Sequence, residues 1–114
     1  MDKYTKKLVM EVIGLGARRI RIYWSAEFGG YVFGRGTIQR GSLAGKDGWV
    51  WIAFDKTGWR TYPQMLWIDS PDPTYGCESQ RFIEQMIRER YECIEHFDAR
   101  PIEGKGFVKV KTVA

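Results

Sequence analysis

Apolar and polar residues alternate along this chain with two different periods. In residues 3–13, Tyr4, Leu8 and Val12 recur at helical spacing, with Val9 and Ile13 beside them. This stripe predicts a short helix, with Asp2 as its N-cap and Gly14 as its C′ residue. The β-branched run within it is also compatible with a strand. Residues 18–24 then switch to a period of two: Ile20, Ile22 and Trp24 point one way, Arg19, Arg21 and Tyr23 the other. Residues 31–40 form a second strand pattern, in which Gly34 and Gly36 predict a bulge, a sharp bend or a close backbone approach, of the kind that forms the corners of a small barrel. Residues 49–54 form a third, apolar on both parities, so both of its faces must be covered. Residues 55–58 carry turn chemistry and are expected to close a hairpin onto residues 59–62, which Pro63 ends. Residues 64–68 fit either a helical turn or a final strand.

Residues 69–76, with two prolines, read as a linker. Beyond it, Phe82, Ile83, Met86, Ile87, Ile94 and Phe97 fall on one face of a long amphipathic helix spanning about 78–98, with Arg81, Glu84, Arg88 and Glu95 on the other. Residues 107–113 alternate again, and their lysines suit an edge strand. The expected fold class is α+β: a small, strongly bent antiparallel sheet or SH3-like barrel with one long C-terminal helix and a final edge strand. It is read as a single domain over residues 1–114, with a barrel core at about 18–68, an added helix at about 78–98 and a last strand at about 107–113.

A length of 114 residues suits one modest core. The chain carries five Trp, six Tyr and six Phe, more rings than one small core readily hides. The net charge of +4 favours acidic partners without reaching the density of a basic tail. Cys77 and Cys93 match neither zinc nor redox spacing, and His96 is the one histidine, so no metal or cofactor is expected. Two reduced cysteines, an N-terminus unlike a signal peptide and no run long enough to span a membrane predict a cytoplasmic protein.

The sequence Ile-Arg-Ile-Tyr-Trp-Ser, then Tyr-Val-Phe-Gly-Arg-Gly-Thr-Ile, then Trp-Val-Trp-Ile-Ala-Phe-Asp-Lys-Thr-Gly resembles the strand order of an SH3-like barrel of Tudor type, over residues 20–68. That resemblance implies an aromatic cage for a methylated lysine or arginine, with rings at Trp24, Phe33 and Phe54 and Tyr31 as an alternative to Phe33. Trp59 stands near the family's polar cage position, and Thr57 replaces the remaining aromatic.

These readings predict a non-enzymatic recognition module. It would bind a protein or peptide partner through Trp24, Tyr31, Phe33, Phe54 and Trp59. The alternative is a nucleic-acid-binding accessory protein, with Arg19, Arg21, Arg35, Lys109 and Lys111 on phosphates and rings stacked on bases. Burial of the rings in a homodimer is a further expectation. No catalytic signature is recognisable.

Overall fold

The computed structural model describes residues 1–67, 85, 87–104 and 106–110. Helix α1 (Lys3–Gly14) is followed by strands β1 (Ala17–Ser25), β2 (Gly29–Thr37), β3 (Asp47–Phe54), β4 (Gln64–Trp67), β5 (Glu92–Ile102) and β6 (Gly106–Val110). All pair antiparallel in one six-stranded sheet of order β4-β3-β2-β1-β5-β6. The sheet is open: β4 and β6 end it on opposite sides and do not pair with each other. The expected SH3-like barrel is therefore replaced by an open sheet: β1 to β4 form a meander, and β5 returns across the sheet to pair with β1 before turning into β6.

α1 forms as its apolar stripe requires. Asp2 accepts a hydrogen bond from the Thr5 amide, and Leu8, Val9, Val12 and Ile13 are buried. These side chains meet Ile20, Ile22, Val32, Val50, Ile52, Phe54, Phe97 and Ala99 from one face of the sheet. The opposite face holds Tyr23, Phe33, Trp51 and Leu66, with Tyr31 and Trp49 partly buried beside them. That second cluster is sealed by Ile87, from a helical segment at residues 87–90, and by Tyr91. Trp49–Phe54 is thus apolar on both parities because both faces of β3 are covered.

The C-terminal expectation fails. Only the segment at 87–90 and residue 85 are helical among the described part of 78–98, and Glu92 onward is strand β5. The cause is a β-bulge. β1 pairs Ile22 with Glu95 and Tyr23 with Cys93, so Ile94 is skipped in the ladder. The extra residue sets apolar Ile94 and Phe97 three apart, a spacing that mimics a helical stripe. β6 follows as the return arm of a hairpin with β5, not as a strand added after a helix; residues 111–114 lie outside the described part, as does the expected linker at 69–76.

The other differences are local. The predicted strand at 59–62 is reduced to a single bridge between Phe54 and Arg60, and the paired strand β4 begins after Pro63. Gly34 and Gly36 are not barrel corners, since the sheet is open and the β2–β3 register runs unbroken through them, although β1 bulges at Arg18, opposite the Arg35–Gly36 step. The two glycines make room where α1 turns into β1: a Cβ on Gly36 would lie 2.1 Å from the Gly16 carbonyl oxygen, and one on Gly34 2.5 Å from the Ala17 Cβ. The helix also ends later than expected. Leu15 is the C-cap, and the left-handed residue is Gly16 (φ +117°) rather than Gly14.

That placement separates two neighbouring glycines. A Cβ on Gly16 would stand 1.8 Å from the Thr37 carbonyl oxygen, whereas one on Gly14 meets nothing within 4 Å. Gly14→Ala is expected to leave stability unchanged or raise it by up to about 1 kcal/mol, as alanine does in a helix. Gly16→Ala is expected to lower it by more than about 1 kcal/mol, because the φ and the space are both wrong. Urea unfolding followed by circular dichroism separates the two; equal midpoints would contradict this helix end.

Candidate functional site

The end of the sheet that carries the β1–β2 turn and the β3–β4 loop gathers the exposed rings. Two anchors from α1 hold that loop. The Tyr4 hydroxyl donates to the Gly58 carbonyl at 2.6 Å, and Glu11 forms an ion pair with Arg60. The Glu11 carboxylate also holds the Arg60 guanidinium above its ordinary pKa. Within the loop, Asp55 accepts hydrogen bonds from the Thr57 hydroxyl (2.7 Å), the Thr57 amide (2.9 Å) and the Trp59 amide (3.0 Å). These donors, the Thr57 hydroxyl foremost, hold its carboxyl below the ordinary 3.8.

A cavity of about 490 Å³ opens on the α1 side of this end. Tyr4, Ile22, Trp24, Phe54 and Ile94 give it an apolar wall, and Asp2, Asp55 and Lys56 give it a charged rim. Trp24 lies 6.3 Å from Phe54 between ring centroids, and Tyr4 meets Phe54 edge-on at 5.8 Å. Both carboxylates are already engaged by backbone amides, so the rings are the surface left to a ligand. On the other side lies a smaller cavity of about 200 Å³, lined by Phe28, Tyr31, Ala53, Trp59 and Tyr91. Tyr31 and Tyr91 pack edge-on at 5.1 Å, and Phe28 lies 6.0 Å from Tyr91. Phe54 and Asp55 line both cavities. Gly30 permits this: a Cβ there would lie 2.4 Å from the Phe54 ring, which rests across β2.

The five aromatic residues singled out from the sequence therefore do not converge. Trp24 and Phe54 share the larger cavity, while Tyr31 and Trp59 share the smaller one with Phe54. Phe33 is 1% exposed and packs on Trp49 at 4.7 Å and Trp51 at 6.1 Å, away from both. Strand parity explains the split, because Trp24 and Phe33 point to opposite faces. A cage built from Trp24, Phe33 and Phe54 is not formed. Of the basic residues, Arg19, Arg21 and Arg35 share the face opposite α1, whereas Lys109 lies on the α1 side, paired with Glu95 and 4.9 Å from the Phe97 ring centre. Lys111 and Cys77 lie outside the described residues. Cys93 is free and exposed on β5, and partial burial pushes its thiol pKa up.

Sequence reasoning missed Tyr4, Phe28 and Tyr91. Tyr4 was legible in principle, since an N-cap at Asp2 puts it in the first helical turn. Tyr91 was hidden by the long-helix reading of its neighbourhood. No protein-family model matches this chain, and neither the curated proteins nor the solved structures contain a match to it. Among the described residues no helix is long and apolar enough to cross a membrane, and no group of three or more His, Cys, Asp or Glu side chains is placed to hold a metal.

Asp55 supplies a pH test. A carboxyl whose pKa is depressed by folding contributes order that is present above 3.8 and is lost as pH falls through the depressed value. The Thr57 and Trp59 amide resonances should hold their positions at and above about pH 5 and move together below 3.8. Asp55→Ala should remove that transition and leave both amides in their shifted positions at every pH. Amide shifts of Thr57 and Trp59 that titrate identically in both proteins would exclude this role.

Proposed function

We propose that this protein is a non-enzymatic recognition module whose aromatic sheet end binds a protein or peptide segment. One observation carries the reading: two ring-lined cavities on opposite faces of the sheet meet at Phe54 and Asp55. Around them Trp24 is 38% exposed, Phe28 45% and Trp59 68%. Rings of this size left in water are a cost that a partner relieves, and Trp and Tyr are the residues on which binding energy concentrates. A concave apolar wall with a few charged groups at its rim is the usual form of a ligand site.

The two cavities have different parts in this reading. The larger one accepts an apolar or aromatic side chain between Trp24 and Phe54. The smaller one accepts a second side chain against Tyr31 and Trp59. A segment crossing the β3–β4 loop spans both. The loop is braced for that role, because the Tyr4–Gly58 hydrogen bond, the Glu11–Arg60 ion pair and the Asp55 bonds fix it before a ligand arrives. Such preorganisation lowers the entropic cost of binding.

Selection from a random peptide library displayed on phage tests this directly. Enriched peptides are expected to bind wild-type protein, and Trp24→Ala and Trp59→Ala are each expected to weaken them about tenfold or more, as hot-spot truncations do. Both side chains are exposed, so the variants should fold. Failure to enrich any peptide, or affinity unchanged in both variants, would end the proposal.

A further inference from the structure

The face of the sheet opposite α1 is divided in two. Over β2 and β3 it is aromatic and is covered by Ile87 and Tyr91. Over β1 and β5 it is arginine-rich. In the ladder, Arg19 on β1 stands between Arg35 on β2 and Asp98 on β5. Two residues along β1, Arg21 stands between Phe33 and His96. Arg100, two residues beyond Asp98, extends the row on β5. Arg19, Arg35 and Arg100 are exposed, and Arg21 is partly so.

This grouping costs stability. Like charges directly opposite on neighbouring strands are destabilising, and Arg19 faces Arg35 across a paired position. Asp98 is the one acid in the row. Among the described residues, the ion pairs Glu11–Arg60 and Glu95–Lys109 involve neither Arg19 nor Arg35. The guanidinium carbon of Arg35 lies 5.7 Å from the Trp49 ring centre, so the ring steadies the fork itself, and Arg35 remains exposed. A bound polyanion would relieve the repulsion.

We infer that this arginine row is a second binding site, which takes the phosphate backbone of a single-stranded nucleic acid with Arg19 and Arg35 as its central contacts. Successive outward residues on a strand are about 6.6 Å apart and neighbouring strands about 4.8 Å apart, so the row is a grid of planar forks. Arginine forks grip phosphate oxygens two at a time. An acidic protein segment fits less well. Protein interfaces draw on a buried apolar centre, and among the described residues the cavities around Phe54 are lined by none of these arginines. Phosphate contacts need no such centre. A flat sheet face also suits a single strand better than a duplex, whose grooves call for a protruding helix or ribbon. Lys109 takes no part, since it lies on the other face. The site is independent of the aromatic cavities, and either can fail alone.

Fluorescence anisotropy with a labelled 12-nucleotide oligo-dT across a salt series is the test. Binding at low salt is expected to weaken with a log–log slope of about −2 to −3, the value for three or four phosphates on a single strand. The double variant Arg19→Gln/Arg35→Gln should lose about tenfold or more in affinity and flatten the slope by about 1.4. Lys109→Gln should change neither. Asp98→Asn removes the acid from the row and should strengthen binding about two- to fivefold at low salt, which keeps the test decisive if the double variant fails to fold. Absence of binding at the lowest salt, or a double variant with wild-type slope, overturns the site. Polyglutamate of equal charge binding as tightly, with the same loss in the double variant, overturns the nucleic acid in favour of an acidic protein.

Discussion

The structure depends on β1 being paired along both of its edges, buried along its α1 face and anchored by Tyr23 on the other. It hydrogen-bonds to β2 and β5, while Ile20 and Ile22 pack beneath α1 and Tyr23 packs into the aromatic cluster on the opposite face. A strand in that position cannot slip by one residue without exchanging its buried sets, so its register fixes that of its neighbours. β3 shares the condition through Val50 and Ile52 on one side and Trp51 on the other. The aromatic surplus follows from this. A small sheet with two covered faces and one short helix needs large side chains to fill the second layer, and Tyr23, Phe33, Trp49 and Trp51 fill it.

Burial fades towards the two ends of the strands, and that is where function becomes possible. At the end bearing the β3–β4 loop the layers thin to single rings, and the chain spends polar contacts on keeping the loop in place. Tyr4 and Glu11, both on α1, reach Gly58 and Arg60, about fifty residues away in sequence. The helix that stabilises the sheet thereby also shapes the cavity against Trp24 and Phe54. Loss of α1 packing would disturb both, so stability and the shape of the proposed binding cavity are linked through one element at that end.

Much of this fold was legible where the local period and the global structure agree. The alternation of Ile20, Ile22 and Trp24 and the two-faced apolar run of β3 have a single interpretation, and for residues 3–13 the stripe with its Asp2 cap favoured the helix over the strand that the β-branched run also allowed. The failures have physical causes. At β5 a bulge at Ile94 shifted the apolar spacing from two to three, and the helical segment at 87–90 immediately before it supplied a plausible helix to extend. At β2 a close backbone approach was among the expected meanings of Gly34 and Gly36, but its partner, the α1–β1 junction, is a long-range fact that the glycines alone do not reveal. A barrel and an open sheet share local strand patterns, and they differ in which strands pair and whether the edge strands meet. The candidate site was legible as a set of rings and not as a shape, because cavity membership depends on the loop anchors from α1.

Parity along β1 carries the deepest consequence for function. Ile20, Ile22 and Trp24 belong to the face that ends in the larger cavity, and Arg19, Arg21 and Tyr23 belong to the other. One strand therefore contributes to two chemically opposite surfaces, and the plane of the sheet keeps them apart. A charged ligand on the arginine row need not desolvate the aromatic wall, and an apolar segment at the sheet end need not approach the arginines. The price is the Arg19–Arg35 juxtaposition, which the aromatic cluster beside it neither neutralises nor covers. A fold that needed β1 only as a core strand could place any polar residue at those outward positions. Two arginines set against each other there are an electrostatic strain that the proposed phosphate-bearing ligand would relieve and bare solvent relieves only in part.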